Sequence, residues 1–199
     1  MSAADDDRDG APADGRYPAR TLRELNRLDL AVYSAVAGSP TPSIDSALRR
    51  LSRTADHSKI SLTLAAALAV GAGSAGRRAA ARGLASIAVT SAVMNLAIKP
   101  VARRRRPDRP AAAVPEARHV RMPESHSFPS GHSAAAFAFA TGAGRTLPGA
   151  MPPLSILATL VAYSRVHTGV HYPMDVIIGA LCGVTLAEVT NRAIDRFSP

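Results

Sequence analysis

From Ile60 onward the chain is a succession of apolar runs free of charge, covering 60–76, 83–98, 133–144, 146–164 and 176–187. All five sit near or below the roughly 17–20 residues that a membrane-spanning helix requires. Their Ala, Gly, Ser and Thr content allows membrane helices to approach closely, and the same composition also suits a soluble bundle. Upstream, Leu22, Leu25, Leu28 and Leu30, then Val32, Val36, Ile44, Leu48 and Leu51, recur at helical spacing, with an SPTPS turn between them. This pattern predicts two short amphipathic helices, of which 28–38 is the only further stretch apolar enough to be weighed as a span. The opening MSAADDDRDGAPADG is acidic, small and proline-containing, unlike a secretory signal. Residues 1–20 are therefore expected to be a disordered tail and 21–199 one domain, all-α throughout.

Consecutive antiparallel helices return to alternate ends of a bundle. If the run ending at Ile98 climbs, the run from Ser133 descends, the run ending at Ser164 climbs and the run from Pro173 descends. The polar stretches KPVARRRRP (99–107), SFPSGHS (127–133) and SRVHTGVHYPMD (164–175) then meet on one face.

Composition narrows the partner. A formal charge of +9 in 199 residues favours an anion, whether nucleic acid, an acidic membrane surface or a phosphorylated substrate. The arginine run lacks the interleaved aromatics that stack bases, which argues against nucleic acid. The single cysteine, Cys182, sits in an apolar run and excludes an intrachain disulfide or a thiolate metal cluster.

The three stretches also carry specific chemistry. Pro129 ahead of a small-residue turn and an apolar run reads as a helix start, where free N–H groups of Ser130, Gly131 and His132 would attract an anion. Pro173 and Asp175 fall in the first turn of the last helix with His171 just before it. That spacing lets a carboxylate orient one imidazole nitrogen and leave the other as a nucleophile. His167, His171 and Asp175 are also spaced as metal ligands on a helix, but Gly169 and Pro173 interrupt such a helix, and nearby cations would repel a metal.

Together these stretches resemble the three-part signature of the type 2 phosphatidic acid phosphatase superfamily: K-x6-R-P from Lys99 to Pro107, P-S-G-H from Pro129 to His132, and S-R-x5-H-x3-D from Ser164 to Asp175. The resemblance implies an integral-membrane helical bundle of about five to six transmembrane helices with amphipathic N-terminal helices, placed in the cell membrane with the active site on the extracytoplasmic side. It implies that His171 attacks phosphorus to form a phosphohistidine, that Asp175 orients its ring, and that His132 protonates the leaving oxygen and later activates water. Lys99, Arg106, Ser130, Gly131 and Arg165 would hold the phosphoryl oxygens, with no metal and no cofactor. The implied substrate is a lipid phosphate monoester or diphosphate: phosphatidate, phosphatidylglycerol phosphate, a polyprenyl phosphate or a prenyl-linked sugar phosphate.

Soluble acid phosphatases and vanadium haloperoxidases share this pocket, and a non-catalytic protein binding anionic membrane lipid would need only the basic loop. His167 is expected to pack or support, His126 to fill a loop, and His57 and His119 to lie at the surface. Tyr172 is read as lining the pocket or sitting at the interface, and Arg103, Arg104 and Arg105 carry no assigned role beyond attraction to lipid headgroups.

Overall fold

The computed structural model describes residues 17–197, and all regular structure among them is helical. The expected N-terminal tail lies outside the described residues except for its last positions, which begin the first helix. Helix α1 spans Tyr17–Gly38 and α2 spans Pro42–Thr54. After a one-turn link come α3 (Lys59–Gly71) and α4 (Gly73–Val93), which runs on through Met94–Ile98 as a wider π turn closed by Lys99 N–H on Met94 O. A long loop leads to α5 (Gly131–Gly144), followed by α6 (Met151–His167) and α7 (Pro173–Phe197).

Two boundaries differ from the pattern of apolar runs. The run 60–76 breaks at Gly73, whose φ of 58° suits glycine, so α3 stops and α4 begins there. Helix α4 then continues straight through Arg77, Arg78 and Arg82, which composition alone marks as a turn. Arg82 is accommodated because it reaches Asn191 and Asp195 on α7, and Arg145 meets the same Asp195. Among the described residues two helices, 73–98 and 173–197, are long and apolar enough to cross a membrane, fewer than the five to six expected. The shortfall arises because α3, α5 and α6 have 13, 14 and 17 residues, with the remaining chain spent on the loop and turns.

Helix α5 is the central column, packed against α4, α6 and α7, and buried from Ala138 to Gly144. Small residues make this possible. A Cβ on Gly179 would strike the carbonyl of Ser130, and one on Gly183 would strike that of Ala134, so α7 lies directly on the backbone of α5. Large apolar side chains point outward instead: Leu62 and Leu96, Ile156 and Leu160, Leu181 and Val189 are exposed. Helix α1 has the same inverted character, with Asp29, Tyr33 and Ala37 buried and Leu22, Leu25 and Leu28 exposed. This distribution is the one that a lipid-facing surface presents, with close contacts between small residues inside.

The antiparallel succession carries the end of α4, the start of α5, the end of α6 and the start of α7 to one end of the bundle. Helix α2 packs on α6 beside that end, and α1 packs on α6 and α7. Gly179→Leu is expected to force α5 and α7 apart, at a cost of about 1–3 kcal/mol typical of overpacking. A lowered unfolding midpoint in detergent, with Ile177→Leu on the exposed face as the neutral control, checks this.

Candidate active site

Proline 173 starts α7, which places Asp175 in its first turn and leaves His171 in the preceding bend. The bend is tight: Gly169 takes φ 68°, and a Cβ there would press on Arg109, Tyr33 and Val114. His171 is 2% exposed and Asp175 is fully buried, with Nδ1 of the ring 3.4 Å from Oδ2 of the carboxylate. That is an ion-pair distance and long for a hydrogen bond, a looseness common in ligand-free sites. Oδ2 also accepts the Tyr172 N–H at 2.9 Å.

On the other side of the ring, Nε2 lies 3.2 Å from Arg106 Nη1, which also donates to Val170 O at 2.8 Å. An arginine can only donate, so Nε2 faces it as an acceptor and the ring proton belongs on Nδ1, toward Asp175. Burial, outweighing the favourable carboxylate, pushes the His171 pKa down to about 4. Its ring is neutral at physiological pH and its Nε2 lone pair is available.

The start of α5 is built by Ser130, whose hydroxyl caps the helix by accepting the Ser133 N–H. The Ser130 N–H is not free, contrary to expectation: it donates to the main-chain carbonyl of Asp175 at 2.8 Å. This bond fastens α5 to α7 and leaves the N–H groups of Gly131 and His132 as those of the helix end without an intrahelical acceptor. Lys99, swung inward by the π turn, approaches the same end, since a Cβ on Gly131 would come within 3.3 Å of its Nζ. Burial and the neighbouring Arg106 lower the Lys99 pKa, and burial lowers that of Arg106 to about 10. An ammonium, two arginines and a positive helix end thus face one another, an arrangement that an anion relieves.

Arg165, 1% exposed, donates through Nη1 to Ser52 O and Ser52 Oγ, each at 2.9 Å, and to Asp56 at 3.3 Å, while its buried Nε has no partner. His132 Nε2 meets the same Asp56 carboxylate at 2.9 Å. His132, Gly131 and Lys99 line one end of a cleft of about 210 Å³, whose walls include Leu64 of α3, Met94 of the π turn, Phe139 of α5 and Leu157 of α6. The site therefore combines a buried cluster of donors with an adjoining cleft of mixed apolar and polar lining.

Several of these partners escaped the motifs. Arg104 bridges Asp175 Oδ1 at 2.8 Å and Asp29 Oδ2 of α1 at 2.6 Å, and its guanidinium stacks 4.0 Å over the Tyr172 ring. Asp29 Oδ1 in turn accepts the Met174 N–H. Arg103 and Arg105 remain exposed. His167 does not join His171. Its Nε2 pairs with Asp45 of α2 at 2.9 Å, and Asp45 also receives Arg118 at 3.0 Å, which removes the metal triad considered from spacing. Among the described residues no group of three or more His, Cys, Asp or Glu is arranged to hold a metal. His57 and His126 are exposed, and Tyr172 packs edge-on against Tyr33 rather than entering the cleft. The signal for Asp29, Asp45 and Asp56 was an acidic residue in each otherwise basic or apolar N-terminal segment, with nothing to say what it met.

The family model of the PAP2 superfamily matches residues 79–198, which include all three motifs. The chain belongs to this superfamily. It is 35% identical over 150 residues to decaprenylphosphoryl-5-phosphoribose phosphatase of Mycolicibacterium smegmatis, covering 75% of this chain and 78% of that protein. To the enzyme of the same name from Mycobacterium tuberculosis it is 39% identical over 94 residues, so the match spans 47% of this chain and 50% of that protein. The fold resembles Aquifex aeolicus LpxE, with a TM-score of 0.64 at 22% identity over 83% of this chain and 95% of that one. It also resembles the transmembrane PAP2 type phosphatidylglycerolphosphate phosphatase from Bacillus subtilis, with a TM-score of 0.67 at 21% identity over 91% of each chain. Asp29, Asp45, Ser52 and Asp56 all precede the segment matched by the family model.

The burial of His171 has a measurable consequence. Its ring is expected to titrate near pH 4 in the ligand-free protein, more than two units below an unperturbed histidine. NMR titration of labelled histidine rings in detergent, with His171→Ala to assign the signal, checks this; titration near 6.5 would mean that water reaches the ring freely.

Proposed function

We propose that this protein is a membrane phosphatase that hydrolyses a lipid-linked phosphate without a metal, through a phosphohistidine on His171. The observation that carries the reading is the His171 ring itself: neutral, held between Asp175 and Arg106, with its lone pair turned toward the cations. In this mechanism Nε2 attacks phosphorus in line, and Asp175 holds Nδ1–H and stabilises the positive ring as the P–N bond forms. Lys99, Arg106, Arg165 and the N–H groups at the start of α5 receive the equatorial oxygens, which gather charge in the transition state. His132 gives its proton to the leaving oxygen and then takes one from the water that opens the phosphoenzyme. Proximity and charge stabilisation supply most of the rate in phosphoryl transfer, and this constellation provides both.

The favoured substrate class is a prenyl-linked phosphosugar or prenyl phosphate. The relatives that match the greatest share of the chain are named for a decaprenylphosphoryl phosphoribose, and two shorter matches are named as undecaprenyl-diphosphatases. The partly apolar cleft next to His132 and Lys99 has room for the part of a lipid-linked substrate next to its phosphate. On this reading α4 and α7 cross the bilayer, and the catalytic end faces the extracytoplasmic side.

Phosphate release in detergent with EDTA present, compared across a prenyl-linked phosphosugar, a short prenyl diphosphate and phosphatidate, tests the activity and ranks the substrates. Wild type is expected to turn over the prenyl substrates and His171→Ala to lose all turnover. Activity that survives in His171→Ala, or that EDTA abolishes, would overturn the mechanism. For orientation, a cysteine in place of exposed Val101 in a Cys182→Ser background is expected to react with a membrane-impermeant maleimide in intact cells. Reaction only after lysis would place the site on the opposite side.

A further inference from the structure

Asp56 lies on the link between α2 and α3, outside the three motifs and upstream of the segment that the family model matches. His57 and Ser58, which follow it, both take positive φ, at 57° and 56°. Two successive residues other than glycine in the left-handed region are unfavourable, and surrounding structure must hold them there. What this backbone delivers is a carboxylate between residues that line the cleft, with one oxygen 2.9 Å from His132 Nε2 and 3.3 Å from Arg165 Nη1.

We propose that Asp56 is the positioning residue of His132: its carboxylate fixes the Nε2–H, presents Nδ1 to the oxygen leaving phosphorus, and opposes loss of the ring proton before that transfer. The inference rests on the proposed phosphatase reading and adds to it how the acid is made. The charged groups facing His132 are Lys99 from the end of α4, Arg165 from α6 and Asp56 from the α2–α3 link. Burial first, and then both cations, draw the His132 pKa below the ordinary imidazole value, and the Asp56 hydrogen bond and charge are what oppose that loss of the proton. The His132 hydrogen bond, more than any other influence, holds the Asp56 carboxyl below the usual carboxylate range, so it is an anion at neutral pH.

The site thus holds two Asp–His pairs in different settings. His171 is sealed from water and neutral, ready to attack. His132 borders the cleft, and its partner is partly open to solvent. As the His171 Nε2–phosphorus bond forms, the bond from phosphorus to the leaving oxygen breaks, its electron pair stays on that oxygen, and the His132 Nδ1 proton neutralises it. Water then returns a proton to Nδ1 as its oxygen bonds phosphorus and the P–N bond opens. The net reaction consumes one water and releases an alcohol and phosphate.

The competing role for Asp56 is that of a stand-in anion, holding Arg165 until phosphate displaces it. Kinetics separate the two when wild type, D56N and D56E are assayed on a prenyl phosphomonoester, whose alkoxide must be protonated, and on p-nitrophenyl phosphate, whose leaving group needs no proton. For D56N, kcat on the prenyl ester is expected to fall about 10- to 100-fold with KM little changed, while kcat/KM on the aryl ester, which is set before the phosphoenzyme opens, changes less than about 3-fold. The alkaline limb of kcat on the prenyl ester is expected to move to lower pH, because a ring without its anion loses its proton earlier. D56E should recover part of the loss. Retained aryl ester turnover certifies that D56N is folded.

Unchanged kcat with a lower KM would assign Asp56 the stand-in role and overturn the proposal, as would equal losses of kcat/KM on both esters. S52A, which removes one Arg165 acceptor without touching His132, is expected to raise KM and leave the alkaline limb in place; a shifted limb there would also count against it. If wild type hydrolyses neither ester, the phosphatase reading itself fails and this inference with it. An active wild type matched by D56N sinks the role of Asp56 alone.

Discussion

Everything at the catalytic end hangs on Asp175. Its Oδ2 accepts the Tyr172 N–H and faces His171, its Oδ1 takes Arg104, and its main-chain carbonyl receives the Ser130 N–H that starts α5. One residue therefore ties together the His171 bend, the basic loop, the start of α5 and, through Arg104 and Asp29, helix α1. A fully buried carboxylate is tolerated only when its oxygens are satisfied, and removing one partner of a buried ion pair costs about 3–5 kcal/mol. The price of leaving any of these donors out is what makes the four segments assemble as a unit.

The remaining charges do not balance in this way. Arg106 spends its donors on loop carbonyls and on a histidine lone pair, Arg165 keeps a buried Nε unpartnered, and Lys99 faces a positive helix end. Local attraction alone would not gather them. The loop is instead pinned at its flanks: Arg109 reaches Gly169 O, and Arg118 is buried against Asp45 and the carbonyls that end α1. The energy of anchoring the loop is thus supplied by arginines outside this cation cluster.

The motif residues were legible in the sequence because phosphate chemistry demands particular types at short, fixed spacings. His171 and Asp175 need only a helix start between them, and Pro173 announces it. The helix order was legible too, since alternating apolar runs force the three polar stretches to one end. Helix ends were less so: Arg77, Arg78 and Arg82 read as a break but continue α4, because the partners of Arg82 lie on α7, more than 100 residues later. Asp29, Asp45 and Asp56 were illegible as site residues for the same reason. Each acts through an arginine or histidine distant in sequence, and no local pattern marks an aspartate as buried.

Helix α1 shows how the membrane and the chemistry are coupled in one element. A soluble helix would bury its leucines; α1 exposes Leu22, Leu25 and Leu28 and buries Asp29. Asp29 cannot remain inward on its own account, since an unpaired buried carboxylate is strongly unfavourable. Arg104 and the Met174 N–H hold it, and the leucines on the opposite face gain only if an apolar phase receives them. In water the two preferences conflict, because burying the leucines would require rolling the helix and withdrawing Asp29 from Arg104. In a bilayer they agree. The same seating that satisfies the leucines keeps Arg104 on Asp175, and with it the carboxylate that faces His171.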